Sequence, residues 1–449
     1  MNSYQRSLLA VAASIVLAPA VFAVDLVGVH DAAFENDPQL QAAGFRRDAS
    51  SESKRQAWSN LLPTLSASGT LSQGDSKTKI AGMTVSDSDT DTDRYSLDLS
   101  QSLFRQANYE LLDQARAEVG QAEANYQTAY QDFLLRVAER YFNVLTSIDG
   151  VTFAEAEEKA LQRQFEQAEQ RFEVGLTAVT DVHEARASYD NARARAIIAR
   201  NNLADAKEGL RELAGRYFEE LDVLIAELPL LPPDPADPAK WVEISVASNP
   251  LLLSSLKAVE FADANVRLQK SGHYPTLDLV ASYTEFTNNE FILRDDFQQV
   301  IATTDLVNDD LSISLQLNVP IYKAGAVSSR SRQASYNYQA TLQDYEQQYR
   351  ATVRATENAY RAVIAGMQSV EAFEQALVSA QSALDATQAG FEVGTRTIVD
   401  VLIAEQRYFQ AQRDFSNARH TYILNHLRLR QAAGILENND LQRVNTILE

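Results

Sequence analysis

The chain has 449 residues, a formal net charge of −21 and no cysteine. Such acidity argues against nucleic-acid binding and against a basic membrane-surface patch. The missing thiol excludes disulfides, thiolate metal sites and lipidation of an N-terminal cysteine together. Sixteen glycines and eleven prolines punctuate a length that could hold two or three ordinary domains, so long uninterrupted elements are expected.

Residues 1–23 read as an export signal. Arg6 supplies positive charge, Leu8 to Leu17 is apolar, and Ala18 to Ala23 offers small residues for cleavage after Ala23. The mature chain is expected to leave the cytoplasm, more acidic still without Arg6. No later segment approaches the ~20 apolar residues of a spanning helix, so any membrane crossing has to use strands.

A helix is expected from about Asn36-Asp-Pro38, where a small polar cap precedes proline, to Leu62-Pro63-Thr64. Leu65, Ala67, Gly69 and Leu71 then alternate with Thr64, Ser66, Ser68, Thr70 and Ser72, the period of a strand with one apolar face. Gly74 to Arg94 is crowded with Asp, Ser and Thr and reads as a long polar loop. From Ser96 to Leu103 the alternation returns, with Leu97, Leu99 and Leu103 on the apolar side and Gln101 interrupting it.

After Phe104 the period changes. Leu112, Ala115, Val119, Ala122, Tyr126, Ala129 and Phe133 step by three and four, which predicts a coiled-coil helix over 109–172, roughly 95 Å at ~1.5 Å per residue. An alanine-rich helix returns from Val179 to Gly215 over somewhat more than half that length. The proline-rich stretch Leu228 to Pro238 cannot be helical throughout and reads as a linker.

The order then repeats. A helix opens at Ser248-Asn-Pro250 and ends at Tyr274-Pro275-Thr276. Leu277, Leu279, Ala281 and Tyr283 alternate, Thr287 to Asp310 is mostly polar, and Leu311, Ile313, Leu315, Leu317 and Val319 alternate again. A second hairpin spans Ala324 to Gly390 and Ile398 to Gly434. Laid over Phe391 to Gly434, the segment Phe172 to Gly215 puts Asp181 on Asp400, Val182 on Val401, Tyr189 on Tyr408, Arg200 on Arg419 and Leu210 on Leu429. The chain is thus expected to hold two copies of one structural unit, 24–227 and 239–449, joined by 228–238.

The fold class is therefore mainly α with four strands of about ten residues, the length of a tilted bilayer crossing. An ordinary soluble sheet with one wet face would alternate in the same way; the polar loops favour a barrel. Four strands cannot close one, and an open edge in lipid leaves backbone groups unpaired at several kcal/mol each. Two copies are the minimum, and three give twelve strands. Nothing points to an enzyme, a cofactor or a metal. His30, His183, His273, His420 and His426 are scattered, and no phosphate loop, H-E-x-x-H or nucleophile elbow is present.

The duplicated half, the paired strands, the Tyr274-Pro275 strand entry and the run Val393-Gly-Thr-Arg-Thr-Ile-Val-Asp-Val-Leu402, with its partner Val174-Gly-Leu-Thr-Ala-Val-Thr-Asp-Val182, resemble the TolC family of outer-membrane efflux channels. The resemblance covers nearly the whole mature chain and is to the family's non-lipidated members rather than its lipid-anchored ones. It implies a homotrimer whose twelve strands form an outer-membrane β-barrel, continued into the periplasm by a coiled-coil α-barrel that narrows at its tip. The function implied is a passive exit duct for tripartite efflux pumps or type I secretion. A periplasmic adaptor and an inner-membrane pump, of efflux or ABC type, would open it.

By the same resemblance, Arg396 looks like the latch between neighbouring coiled coils, with Thr180 and Asp181 as partners, and Asp400 like part of an acidic ring at the constriction. Gly175 and Gly394 would make tip turns that an adaptor can grip. Phe391 stands where a tyrosine often adds a tip hydrogen bond, and Ile403 where a second acidic ring would be, so fewer polar ties are expected. Each residue also has a plainer reading: turn glycines needing φ > 0, an unpaired surface arginine, an aspartate favourable at a helix N-terminus. The competing function is an exported trimeric coiled-coil spacer or adhesin stalk without a pore. A periplasmic adaptor would need lipoyl-like and barrel domains flanking one hairpin.

Overall fold

The structure, a computed structural model, describes residues 23–81, 83–294 and 300–449. The expected export signal lies outside them except for its last residue, Ala23. Two short helices open the first half, α1 (Leu26–Asn36) and α2 (Pro38–Ser59). The hairpin β1 (Thr64–Ile80) and β2 (Met83–Arg105) comes next, then the long α3 (Gln106–Glu173) and its return α4 (Val179–Ala214). The second half repeats this order with α5 (Pro238–Ser248), α6 (Pro250–Lys270), β3 (Thr276–Arg294), β4 (Val300–Asn318), α7 (Ala326–Glu392) and α8 (Ile398–Ala432). A short α9 (Asn438–Asn445) comes last.

The expected opening helix of each half is present as α2 and α6, and a shorter helix that was not expected, α1 or α5, precedes each. The chain breaks at Asp37-Pro38 and Asn249-Pro250, where the Asp37 and Asn249 side chains accept N–H bonds of the helix that proline begins. The short α1 and α5 were hidden because an eleven-residue element shows too little periodicity to stand apart from the longer helix after it.

The four strands form one antiparallel sheet in the order β1-β2-β3-β4. They are 17, 23, 19 and 19 residues long, about twice the expected length. The stretches read as polar loops are the outer parts of the hairpins, with Gly74 paired to Thr90 and Thr287 to Val307. Hydropathy alternates only where one face of a strand is apolar, as a bilayer crossing requires. Beyond the bilayer both faces are wet, so the pairing continues after its sequence signal has gone.

Register aligns the apolar residues into continuous rows: Leu65, Leu99, Ala281 and Ile313 form one, and Ala67, Leu97, Tyr283 and Leu311 the next. Many of these side chains are solvent-exposed in the single chain, Ile313, Leu311 and Leu65 most of all. The opposite face is joined by hydroxyl and carboxylate hydrogen bonds, Ser68 to Ser96 at 2.8 Å and Ser282 to Asp98 at 2.6 Å. Both outer strands, β1 and β4, keep one edge unpaired.

At ~1.5 Å per residue, the 68-residue α3 is about 100 Å long. Its partner is split in two, since α2 packs on one stretch of it and α4 on another. The same holds for α7 with α6 and α8. The ends are butted closely: a Cβ on Gly434 would stand 2.4 Å from Asn249 Cα, so the α8 terminus admits only glycine there.

The main apolar core surrounds the middle of α3. Phe133, Tyr141, Phe142, Leu427, Leu429 and Leu441 are among its fully buried side chains, with α1 and α9 packed over it. Residues 228–237, without helix or strand, are strapped to this belt. Tyr422 Oη donates to the Leu231 carbonyl and accepts the Leu231 N–H, both at 2.8 Å.

Candidate functional site: the hairpin tips and the seam above them

Both hairpins end in the same turn. Gly175 (φ +75°) and Gly394 (φ +77°) sit in the left-handed region that other residues adopt only at a cost. Leu176 N–H bonds to the Arg171 carbonyl and Gly175 N–H to Phe172; Thr395 and Gly394 bond likewise to Gly390 and Phe391. This pairing satisfies the carbonyls that a helix end leaves open. Val174, Leu176 and Val393 flank the glycines and are at least 69% exposed, so each tip presents a small apolar knob on bare backbone.

The return helices begin alike. Asp400 is the third residue of α8 and forms a capping box: Thr397 N–H and Oγ1 donate to its carboxylate at 3.0 and 2.9 Å, and its own N–H bonds to Thr397 Oγ1 at 3.3 Å. These bonds, backbone first, and the nearby Arg396 guanidinium hold the Asp400 carboxyl below its usual range. Asp181, third in α4, accepts from Thr177 Oγ1 rather than from Thr180, which is exposed.

Arg396 is exposed, with its stem against Gly390. Among the described residues no hydrogen bond or ion pair joins it to Thr180 or Asp181 of the same chain. What does join the two coiled coils at this level is Phe391: the Arg171 guanidinium, near the end of α3, lies 4.7 Å from the centroid of its ring. Ile403 is 43% exposed one turn above Asp400.

Above the tip, α3 and α8 run antiparallel along a seam with a polar tie at nearly every second turn. Asp132 meets Gln431 and Glu139 meets Arg428, both at 2.8 Å. Thr146 Oγ1 lies 2.8 Å from His420 Nδ1, and Ser416 donates to Asp149. Burial pushes the His420 imidazole down to about 4, so it is neutral in this seam.

Glu157 is fully buried and takes Arg195 of α4 at 2.8 Å and Arg413 of α8 at 3.1 Å, so one carboxylate ties three helices. Lower still, Gln164 Nε2 donates to Glu405 Oε1 at 3.1 Å, and burial raises the Glu405 carboxyl above its usual range. Sequence reading missed Glu157, Arg195, Arg413, Gln164, Glu405 and Arg171 as a set. The heptad rhythm showed only that α3 is a coiled-coil helix, and such a rhythm does not say which distant helix answers a polar residue.

The family described as "Outer membrane efflux protein" matches residues 29–216 and 241–435, the two halves in turn. The "Outer membrane protein TolC" of Vibrio cholerae serotype O1 is 36% identical over 438 residues, covering 96% of each chain. The "Alkaline protease secretion protein AprF" of Pseudomonas aeruginosa is 29% identical, covering 94% of this chain and 87% of that one. A crystal structure of CusC superimposes with a TM-score of 0.76 at 18% identity, over 96% of this chain and 99% of that chain, and so shares the fold. With both halves matched, this chain belongs to the outer membrane efflux protein family.

Proposed function

We infer that three copies of this chain form an outer-membrane exit duct, with twelve strands in the bilayer and the helices extending through the periplasm to a narrow tip. It is not an enzyme: a periplasmic adaptor and an inner-membrane pump supply the energy and open it. The observation that carries this reading is the sheet, which has four strands, two unpaired edges and one apolar face. Because the strand number is even, β4 of one copy runs antiparallel to β1 of the next and the ladder closes without a mismatch. A pore-free coiled-coil stalk has no use for that face.

The relatives named for efflux and for alkaline protease secretion support two cargo classes, small molecules and proteins exported by a type I system. A wide lumen lined with hydroxyls selects little between them. Residues 24–227 and 239–449 are the two structural repeats, joined by 228–238, and 1–23 is the export signal. At the tip, Arg396 latches onto Thr180 and Asp181 of the neighbouring copy, which is why it lacks them within its own. Asp400, besides capping α8, forms a ring of three carboxylates near the axis. Gly175 and Gly394, with their exposed apolar flanks, receive the adaptor.

Planar-bilayer recording tests this. The purified trimer should conduct in brief openings from a closed state, and Arg396→Ala should make openings larger or more frequent. A trimer that never conducts sinks the duct; equal behaviour of both proteins removes Arg396 alone from the latch. Exposed ion pairs are each worth on the order of 1 kcal/mol or less, so the latch can yield to a docking partner.

A further inference from the structure

Gln164 and Glu405 face each other across the seam between α3 and α8, two turns above the tip, and each leaves one buried atom without a partner. Gln164 Nε2 donates to Glu405 Oε1 at 3.1 Å, while Gln164 Oε1 and Glu405 Oε2 have no hydrogen bond among the described residues. Both side chains are more than nine-tenths buried. Two acceptor oxygens left over from one such pair are costly, since a buried acceptor forfeits the water it had. Turning the Gln164 amide over does not help, because it only changes which carboxylate oxygen accepts and again leaves two acceptors over. A single hydrogen on Glu405 Oε2 would supply the missing donor: the acid O–H would donate to the amide oxygen while the amide N–H donates to the acid carbonyl, closing a two-bond ring.

We propose that the closed seam binds one proton per chain at Glu405, held as a carboxylic acid–amide pair with Gln164, and that the proton is released when α8 parts from α3. The surroundings agree. The apolar cluster at this level joins Leu161 and Ala168 of α3, Ala185 and Ala192 of α4, and Ile398 and Leu402 of α8, with Tyr189 of α4 packed against it. The charged groups that face it are Arg163 and Glu157 of α3, which pull its ionisation in opposite directions. Glu157 is already committed to Arg195 of α4 and Arg413 of α8. On α8 itself, Asp400 lies at the tip, occupied with the Thr397 cap, and Arg396 precedes the helix in the exposed turn. Burial is the largest influence and favours the neutral acid.

The consequence for opening rests on the tip being a gate. In the closed seam the Glu405 carboxyl titrates above its open, hydrated value of about 4.3. The proton's contribution to closure is therefore complete below the open value and is lost as pH rises through the closed one. Closure should weaken from acidic toward neutral and alkaline pH, with three such sites acting in the trimer.

Two measurements on the intact trimer decide the matter. Infrared difference spectra of wild type against Glu405→Gln should show the carbonyl stretch of a protonated carboxyl, sensitive to H/D exchange, at mildly acidic pH; its absence overturns the proton site. Glu405→Gln is isosteric and keeps the ring as an amide–amide pair that cannot ionise. In bilayers, opening of wild type should increase as pH is raised, and the variant should lose that component. An unchanged pH profile overturns the coupling to opening. The infrared result stands whether or not the tip gates, so failure of the gate and failure of the site are told apart.

Discussion

The same two helices, α3 and α8, meet under opposite regimes at the middle of the molecule and near its tip. At the middle, Phe133, Val137, Tyr141 and Leu145 of α3 share one buried core with Ile423, Leu427 and Leu429 of α8, with α1, α9 and the C-terminal residues packed around them. Even the last residue is fixed, Glu449 exchanging backbone bonds with Val223. Toward the tip the buried cluster joining the helices shrinks to Leu161, Ala168, Ala185, Ala192, Ile398 and Leu402, half of it alanine. At roughly 25 cal/mol per Å² of apolar surface, alanines contribute little area. The lower seam therefore depends on a few polar and cation–π contacts. Burial makes a permanent clamp, and sparse ties make a joint that can part without unfolding. Glu157, bonded to α4 and α8 together, marks the boundary.

The largest effect should come from breaking the clamp. Leu427 is 2% exposed at the centre of the belt, and Leu427→Ala should cost about 3 kcal/mol. Thermal unfolding of the detergent-solubilised trimer should move down accordingly while tip gating is unaffected. A variant that gates differently but melts normally would reverse the division between clamp and joint. Next in size is the boundary itself. Glu157→Gln keeps the shape and removes both charge-assisted bonds, but Arg195 and Arg413 can still reach water, so about 1–2 kcal/mol is expected rather than the full cost of a stranded buried charge. Hydrogen exchange should quicken in α8 below residue 413 and stay slow over 420–432. Uniform quickening along α8 would mean that Glu157 belongs to the clamp.

Sequence reading was most successful where one period ran long. The heptad rhythm of α3 and the repeated Phe-Glu-Val-Gly turn gave the hairpins to within three residues of their ends. The strands were found but halved, because Ser72 and Thr92 pair at 2.6 Å in a stretch where neither face is apolar. At the tip, glycines and caps could be read, since a turn and a capping box are local chemistry between residues three or four apart. The seam could not. Glu157 and Arg413, or Gln164 and Glu405, meet only because a hairpin doubles back and the second hairpin lies against the first. Phe391 shows the limit well: losing a tyrosine hydroxyl there predicts a weaker latch, yet the ring is engaged through its face.

That engagement sets the smallest expected effect. Arg171 and Phe391 close the ends of α3 and α7, which belong to different coiled coils, so their contact is a tie across the joint within one chain. Phe391→Leu keeps apolar bulk and removes the aromatic quadrupole, at a cost of about 0.5 kcal/mol in this half-open setting. Three such ties opening together would change the open-to-closed ratio by about tenfold, measurable in single-channel records. Phe391→Tyr retains the ring face and should behave as wild type, whereas Arg171→Gln should match Phe391→Leu and add nothing to it. Additive effects of the two changes, or equal gating by the leucine and tyrosine variants, would mean that the ring merely fills space.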